Sequence, residues 1–372
     1  MITSIELAPL AVPNRLLLGP GPCNANPLVL EAMSMKLLGH LDPAFLQIMD
    51  EIQSLLRYAW QTENSHTIAV SGTGTAAMEA TIANSVEPGD VMLIGAAGYF
   101  GLRLVDMARR YGADVQTISQ PWGQNFSLDE LRVAMSTHRP KILGLVHAET
   151  STGCRQPLEG VGELCREYDC LLLLDTVTSL GGVPIYLDDW GVDLAYSCSQ
   201  KGLGCAPGAS PFTMSARAME KLLKRQTKVP NWYLDMLLLG KYWGAERMYH
   251  HTAPINLYYG LREALRLISA EGIEHSWARH QQNVEYLWSS LESIDLKMHV
   301  EKQYRLPTLT TVCIPDGVDG KSVAKQLLLE HNIEIGGGLG ELAGKVWRVG
   351  LMGYNSRTEN VDRLIAALKQ VL

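Results

Sequence analysis

The chain has 372 residues, of which 47% are apolar and 19% are charged, and its net charge at pH 7 is −7. This composition is typical of a folded protein with one large and one smaller domain, and without a Lys/Arg block it argues against nucleic acid or a membrane surface as a partner. No apolar stretch reaches the ~18 residues that span a bilayer. The seven cysteines form no Cys-x-x-Cys pair, so we expect reduced thiols, no zinc or other metal site, and a cytoplasmic protein.

The first half of the chain alternates short apolar runs with helix-length segments, as βαβ units do. The runs that we predict to be strands are residues 66–70, 91–96, 113–118, 141–147, 170–175 and 193–199. The segments that we predict to be helices begin near residues 75 and 100 and cover residues 128–137 and 158–168. Because strands that are apolar on both faces belong in parallel sheets covered by helices, the predicted fold class is α/β.

The second half of the chain predicts two long helices and then a smaller α+β unit. Residues 254–270 and 276–293 have amphipathic helical patterns, and we place a domain boundary at the Glu271-Gly272 pair between them. The later elements are strand-like residues 308–315, a helix at 321–331, strand-like residues 333–338 and 345–353, and a last helix from about Thr358.

Residues able to do chemistry follow four of the predicted strands. They are Ser71–Thr75 after the first strand, Thr150 after residues 141–147, Asp175 at the end of residues 170–175 and Lys201 after residues 193–199. In open parallel sheets, ligands bind outside the carboxyl ends of the strands. We therefore expect these residues to share one site.

Each member of this group also has an ordinary structural interpretation. SGTGT at 71–75 is either a phosphate cradle or a threonine N-cap without a ligand. Asp175 ends an apolar strand and needs a positive partner, which could be a protonated heterocycle, an arginine or a helix N-terminus. Lys201 is a surface lysine or, if desolvated, a nucleophilic amine. A phosphate cradle, a buried acid and a loop lysine together are what pyridoxal phosphate requires.

At these residues the sequence resembles the alanine–glyoxylate and serine–pyruvate aminotransferase family, which belongs to the class V, fold-type I pyridoxal-phosphate enzymes. The segments that carry the resemblance are LLLGPGP (16–22), SGTGTAAMEA (71–80), VEPGD (86–90), HAETSTG (147–153), LLLLDTVTSLGG (171–182), YSCSQKGL (196–203), MYHHT (248–252) and KVWRVGLMG (345–353). The resemblance implies an N-terminal arm at 1–20, a large domain at 21–271 with a mostly parallel seven-stranded sheet, and a small C-terminal α+β domain at 272–372.

Matched position by position, the resemblance gives each site residue a role. Lys201 would bind the cofactor covalently and Asp175 would face the pyridine nitrogen. The other implied cofactor contacts are Thr73, Gly74, Thr75 and Gln200 at the phosphate, Thr150 near the phenolic oxygen, Phe100 on the ring face, and Tyr249 and Thr252 reaching the phosphate of a neighbouring subunit. The last two would make the protein a homodimer with shared active sites.

The substrate contacts implied by the resemblance are Gly21 and Arg348. Arg348 lies in an apolar strand, where a guanidinium calls for a planar anion; this is either an internal carboxylate or, in the family, the α-carboxylate of the substrate. Thr75, Phe100 and Cys23 stand where the animal enzymes typically have histidine, tryptophan and serine. Threonine can still donate to phosphate and phenylalanine can still stack, whereas Cys23 leaves the side-chain preference open.

None of the ten histidines has a role in this assignment, and His40, His250 and His251 are the candidates for another one. His250 and His251 are adjacent and point in different directions, which favours a structural or interface role over a metal site. His40, in GHLDPAF, resembles a family motif, and no role follows for it from the sequence.

The function implied is transfer of the amino group of alanine or serine to glyoxylate or pyruvate. Alanine–glyoxylate transfer is the first expectation, with serine–glyoxylate or serine–pyruvate transfer as the alternative. A class V lyase of the cysteine desulfurase type would need a reactive cysteine late in the chain, where Cys313 lies inside a predicted strand. An NAD-type nucleotide-binding protein is the remaining alternative. This sequence has no acidic residue about 20 positions after a proper G-x-G-x-x-G motif, and such a protein would have no use for Lys201.

Overall fold

The computed structural model describes residues 5–372, and every strand and helix predicted above has a counterpart in it. The strands are β1 (Leu16–Leu17), β2 (His66–Ser71), β3 (Val91–Ala96), β4 (Asp114–Ser119), β5 (Ile142–Val146), β6 (Ala148–Glu149), β7 (Cys154–Arg155), β8 (Leu171–Asp175), β9 (Leu194–Tyr196), β10 (Ala209–Met214), β11 (Leu309–Cys313), β12 (Ile333–Glu334), β13 (Gly336–Gly337) and β14 (Val346–Gly350). The α-helices are α1 (Pro27–Met33), α2 (Pro43–Trp60), α3 (Gly74–Ser85), α4 (Tyr99–Arg110), α5 (Leu128–His138), α6 (Val161–Glu167), α7 (Ala216–Leu223), α8 (Met236–Trp243), α9 (Ile255–Glu271), α10 (Ile273–Glu292), α11 (Gly320–Glu330) and α12 (Thr358–Val371).

Seven strands form the central sheet in the order β2-β10-β9-β8-β5-β3-β4. All neighbouring pairs are parallel except those of β10, which is antiparallel to both β2 and β9. This confirms the mostly parallel seven-stranded sheet and the α/β fold class. The carboxyl ends of six strands therefore meet at one edge of the sheet.

The large hydrophobic core lies on both faces of this sheet, between the strands and the helices that cover them. β8 is buried along its whole length, as its uninterrupted apolar sequence predicts for a central parallel strand.

Helix α2 was not among the predicted elements, although its sequence contains the usual signals for the start of a helix. Asp42 caps it by accepting from the backbone N–H of Ala44 at 2.8 Å, and Pro43 occupies the first position. Its buried positions recur at helical spacing: Phe45, Met49, Ile52 and Leu56.

Strand β10 and helices α1, α7 and α8 also lie outside the predicted elements. β10 contains Pro211, which has no N–H for the ladder, so its sequence argues against an internal strand. The carbonyl of Ala69, paired with Pro211 across β2 and β10, accepts a 2.7 Å hydrogen bond from the hydroxyl of Tyr258. Tyr258 of helix α9 thus supplies a donor to a carbonyl on the free edge of β2, while the backbone of Pro211 faces the other neighbour, β9, where its carbonyl accepts from the N–H of Ser197 at 2.9 Å.

The C-terminal part of the chain packs a second hydrophobic cluster around a three-stranded antiparallel sheet, β11-β14-β13. Helices α10, α11 and α12 contribute to this cluster, and so do Leu16 and Leu18 near the beginning of the described chain. β1 pairs in parallel with β12, with Leu16 opposite Ile333. Helix α9 ends at Glu271, at the predicted boundary, and Gly272 separates it from α10.

None of the helices between residues 5 and 372 is both long enough and apolar enough to cross a membrane.

Candidate active site at the carboxyl edge of the sheet

The residue groups that follow the predicted strands come together at the carboxyl edge of the sheet. They are Ser71–Thr75 after β2, Thr150 after β6, Asp175 at the end of β8 and Lys201 in the loop after β9. The strand register places Asp175 between Val146 and Tyr196 of the neighbouring strands. Gly74 approaches the next loop so closely that a Cβ there would lie 3.0 Å from the Cβ of Cys198. The sheet therefore positions these loops against one another.

The amine of Lys201 is enclosed by its own loop and by the Gly-Pro turn that precedes α1. The residue is only 8% exposed, and Nζ donates a hydrogen bond to the carbonyl of Pro20. Gly21 has a φ of +103°, and a Cβ at this position would lie 2.6 Å from Cδ of Lys201. Burial lowers the pKa of Lys201 below its ordinary value. Such an amine is more easily neutral, and hence nucleophilic and basic, than a surface lysine.

The carboxylate of Asp175 is buried, with 2% exposure, and is held in place by two donors. Oδ1 accepts from the backbone N–H of Val177 at 2.8 Å, and Oδ2 accepts from the hydroxyl of Tyr196 at 2.7 Å. No salt bridge within residues 5–372 includes Asp175. Burial raises its pKa to about 6, while the bonds from Val177 and Tyr196 oppose that rise. The structural arginine considered for Asp175 from the sequence is thus not found in the described chain, which leaves room for a cationic ligand.

Glu149 is a second buried carboxylate of the site, and the sequence reasoning gave it no role. Its Oε2 accepts from the backbone N–H groups of Phe100 at 3.1 Å and Gly101 at 3.2 Å, and its Oε1 accepts from the N–H of Ser151 at 3.0 Å. Glu149 therefore caps α4, whose N-cap residue Gly98 has no side chain. Burial raises the pKa of Glu149. Its position in HAETSTG was the available signal, since it lies beside Thr150.

The start of helix α3 has the properties of an anion cradle. Thr73 occupies the N-cap position, but its hydroxyl makes no capping hydrogen bond. Within the described chain, the backbone N–H groups of Gly74 and Thr75 have no acceptor. The side-chain oxygen of Gln200 is buried without a hydrogen-bond partner there, and a turned amide would present its NH₂ group instead. These unused donors, at the positive end of a helix, fit a phosphate group.

Phe100 and Thr150 lie on separate elements that follow the strands of the sheet. Phe100 is in the first turn of α4, which Glu149 fixes through the backbone. Thr150 is buried, and its hydroxyl forms a hydrogen bond with the hydroxyl of Thr178, three residues after Asp175. Both residues therefore have restrained positions at the carboxyl edge of the sheet.

Arg348, in the middle of β14, brings a guanidinium into the site from the C-terminal unit. It is 7% exposed; Nε donates to the carbonyl of Gly337 at 2.7 Å and Nη1 to the carbonyl of Thr150 at 3.3 Å. No carboxylate in the described part of the chain forms a salt bridge with it. The internal ion pair that was the alternative for Arg348 is therefore not formed. A buried guanidinium without a counter-ion is suited to a carboxylate ligand.

Tyr249 and Thr252 do not join the other site residues in this single chain. Both lie on the segment between α8 and α9, where Tyr249 is 56% exposed and Thr252 is also exposed. The ring of His40 lies 5.0 Å from the ring of Tyr249, measured between centroids. These two residues are thus available to a neighbouring molecule rather than to the Lys201 loop.

The adjacent histidines between Tyr249 and Thr252 form a hydrogen-bond chain that ends on β2. His250 Nδ1 lies 2.8 Å from His251 Nδ1, and His251 Nε2 lies 2.6 Å from the hydroxyl of Ser71. Burial lowers the pKa of His251 to about 4. Both rings serve as neutral structural links that fix this exposed segment to the strand leading into the α3 cradle.

Two cysteines that the sequence analysis discussed have buried or half-buried thiols. Cys23 donates to the carbonyl of Lys201 at 3.2 Å, and burial raises its pKa to about 12. Cys313 ends β11, as predicted for a strand residue, but it is half-buried rather than enclosed. Burial raises its pKa as well, so neither thiol is activated as a nucleophile.

These features match the groups of pyridoxal phosphate. The cradle at α3 suits the phosphate, the unpaired Asp175 suits a protonated ring nitrogen, and the amine of Lys201 suits the aldehyde. Gly21 and Gly74 keep the surrounding space free of side chains. The residues present therefore fit this cofactor.

Comparison with known proteins agrees with this chemistry. The family model for class V aminotransferases matches residues 30–364. An alanine–glyoxylate aminotransferase of Rattus norvegicus is 46% identical over 368 residues, covering 98% of this chain and 89% of the rat protein. An (S)-ureidoglycine–glyoxylate transaminase of Bacillus subtilis is 36% identical over 381 residues, covering 98% and 92%. The crystal structure of an alanine–glyoxylate aminotransferase from Nostoc sp. superposes with a TM-score of 0.98 at 79% identity, covering 99% of this chain and 97% of that one.

Proposed function

The chain belongs to the class V aminotransferase family, and on this premise we propose that it transfers the amino group of alanine to glyoxylate with pyridoxal phosphate as cofactor. The names of the rat and Nostoc proteins support alanine as donor, and those of all three relatives include glyoxylate. The support is therefore broader for the acceptor than for the donor. Serine as donor, or pyruvate as acceptor, is the alternative within the same chemistry.

The observation that carries the proposal is the unpaired guanidinium of Arg348 near the buried amine of Lys201. Burial is the main cause of the lowered pKa of Lys201, and the positive charge of Arg348 lowers it further. An amino acid bound through its carboxylate to Arg348 would bring its α-carbon towards this amine. Arg348 would thus bind the carboxylate, and the amine of Lys201, in its neutral form, would act as the base.

Each residue has a task that follows from its surroundings. When bound, pyridoxal phosphate supplies an aldehyde that exchanges the amino group and a ring that accepts electrons from the α-carbon. Asp175, ionised between its two donors, would face the ring nitrogen and favour its protonated form. Nζ of Lys201 would take the proton from the α-carbon of the amino acid as general base and, once protonated, serve as the general acid. Arg348 fixes the carboxylate, so that the bond to be broken keeps one orientation.

A homodimer with shared active sites is part of the proposal. Tyr249 and Thr252 are exposed in the single chain, as contacts to a second subunit require. Large apolar side chains are exposed nearby and before α2, among them Leu28, Leu30, Leu37, Trp232 and Met248. Apolar exposure on this scale marks an interaction surface. We expect light scattering to give twice the chain mass.

The organisation and location proposed from the sequence accompany this function. We propose a large domain at 21–271 and a small domain at 272–372, which the two separate hydrophobic clusters support. The arm at 1–20 is part of the same proposal, although residues 1–4 lie outside the described chain. A cytoplasmic location is supported by the seven cysteines, which are all free thiols.

The lyase alternative of the cysteine desulfurase type has little support. Its attacking cysteine would be Cys313, whose pKa burial raises, at the end of a strand rather than on a loop. A nucleotide-binding protein without catalysis would leave the buried amine of Lys201 and the guanidinium of Arg348 unexplained.

The test has two stages. The purified enzyme is first reduced with borohydride and digested, and mass spectrometry is expected to find the cofactor adduct on Lys201. Amino donors are then compared by kcat/KM against glyoxylate and pyruvate: alanine, serine, (S)-ureidoglycine and glutamate. An unmodified Lys201 peptide would refute the cofactor assignment, and a preference for glutamate would refute the small-donor assignment.

A further inference from the structure

Arg103, in the second turn of α4, is a cation that no carboxylate neutralises. It is half-buried, and it belongs to none of the salt bridges formed within residues 5–372. Arg110, on the same helix, instead pairs with Asp106 at 2.9 Å. No role for Arg103 follows from the sequence alone.

The guanidinium of Arg103 contacts two of the residues proposed to touch the cofactor. Nη1 donates to the hydroxyl of Thr75 at 3.3 Å, and Cζ lies 4.7 Å from the centre of the Phe100 ring. The remaining N–H groups of Arg103 have no acceptor in the described chain. The cation therefore lies between the start of α3 and the first turn of α4, with donors still to be used.

Two positive groups face each other at this position. The N-terminus of α3 carries the positive end of the helix dipole, and a second positive charge beside it is repelled. The groups so far assigned to the phosphate are all neutral: Thr73, Gly74, Thr75, Gln200 and, from a neighbouring subunit, Tyr249 and Thr252. A phosphate monoester carries between about −1.5 and −2 charges at pH 7. An anion of this kind between the start of α3 and Arg103 would be attracted by both positive groups.

We propose that Arg103 is the cation that binds and neutralises the phosphate of pyridoxal phosphate, while its contact with Phe100 keeps that ring in position. This inference rests on the proposed function and adds a residue to its cofactor site. Arginine suits the task because its planar fork can give two hydrogen bonds to phosphate and still stack on an aromatic ring.

The test compares binding of pyridoxal phosphate and of pyridoxal, which lacks the phosphate, to the apo-enzyme. The affinities are measured by absorbance titration for wild type, Arg103→Gln, Arg103→Lys and the control Arg110→Gln. We expect Arg103→Gln to weaken pyridoxal phosphate by roughly 10- to 100-fold and pyridoxal by less than about threefold. Arg103→Lys should weaken pyridoxal phosphate about fivefold, and Arg110→Gln should match wild type.

Other outcomes would refute the role of Arg103. Equal losses for both compounds, which leave the ratio of the two affinities unchanged, would mean that Arg103 supports Phe100 without reaching the phosphate. If Arg103→Gln does not fold, the ratio in Arg103→Lys decides in the same way. Failure of wild type to bind either compound at Lys201 would refute the proposed function itself, whereas normal wild-type binding with an unchanged variant ratio would refute only this inference.

Discussion

The hydroxyl of Tyr196 donates a 2.7 Å hydrogen bond to Oδ2 of Asp175. The two residues are direct neighbours on the parallel strands β8 and β9, so the register of the sheet fixes this contact. Both side chains are buried, and burial raises the pKa of Tyr196 well above its ordinary value. The tyrosine is therefore a permanent donor, which favours the ionised form of Asp175.

Replacing Tyr196 with phenylalanine removes this donor and keeps the ring. We expect the pKa of Asp175 to rise further above about 6, because the bond from Tyr196 opposes the effect of burial. The ionised fraction at neutral pH then falls, and kcat should drop roughly tenfold, with the acidic limb of the pH–kcat profile moving to higher pH. Steady-state kinetics between pH 5.5 and 9 measures both effects. Tyr168→Phe, at a tyrosine without a described hydroxyl partner, is the control; an unmoved acidic limb in Tyr196→Phe would contradict the assignment.

Local patterns in the sequence were sufficient to predict six strands of the sheet and the polar residues that follow them. Apolar runs such as residues 171–174 are recognisable strands, and polar residues that follow them must lie at the carboxyl edge. β10 was not predictable in this way, since Pro211 and the glycines before it resemble a continuing loop. Its place in the sheet depends on β2 and β9, which are distant in sequence.

The roles of Glu149 and Arg103 could not be predicted from sequence for the same physical reason. Glu149 caps a helix that begins 50 residues earlier, and Arg103 reaches a hydroxyl 28 residues away. Contacts between residues so far apart in the sequence do not follow from a periodic pattern. Likewise, only the positions of the described side chains show that Arg348 has no counter-ion among them.

The Gly21→Ala substitution should separate crowding at Lys201 from backbone strain. A methyl group at position 21 would lie 2.6 Å from Cδ of Lys201, so the amine would have to move. We expect the fraction of Lys201 that carries cofactor after borohydride reduction to fall at least about tenfold, because a displaced amine cannot reach the aldehyde. Peptide mass spectrometry gives this fraction directly.

The matched control for that experiment is Gly89→Ala. Gly89 also has a positive φ, +87°, but a Cβ there would meet no atom within 4 Å. Both alanines bear the left-handed backbone cost of about 1 kcal/mol, and only Gly21→Ala adds the collision. Equal labelling of Lys201 in both variants would show that the turn can relax around a methyl group.

Substitution of Arg348 with methionine should weaken the use of carboxylate substrates selectively. Because the guanidinium has no carboxylate partner in the described chain, its removal leaves no buried charge unpaired, and the fold should persist. We expect kcat/KM for alanine to fall by about 100- to 1,000-fold, while reaction with ethylamine, which has no carboxylate, changes little. Stopped-flow half-reactions with both amines provide the comparison. A parallel loss with ethylamine would mean that Arg348 shapes the site without binding the carboxylate.

His280 should make the protein sensitive to acid, because its ring is held in the neutral form. Nδ1 donates to the carbonyl of Ser276 at 2.7 Å, so Nε2 must be the acceptor of the 2.9 Å bond from the N–H of Gly353. Burial lowers the pKa of His280 to about 4 from the ordinary 6.5. The contribution of this lowered pKa to the free energy of unfolding is fully present above pH 6.5 and is lost as the pH falls towards 4. The loss amounts to about 3 kcal/mol.

His280→Gln can retain a donor and an acceptor at this position but cannot take up a proton. We expect the variant to be about 1–2 kcal/mol less stable than wild type at pH 7.5, and this deficit to shrink or reverse below pH 5. Urea unfolding of the apo-protein across this range measures the difference. His275→Gln, at an exposed position on the same helix, should follow wild type at every pH. A constant difference between His280→Gln and wild type would show that His280 does not titrate on unfolding.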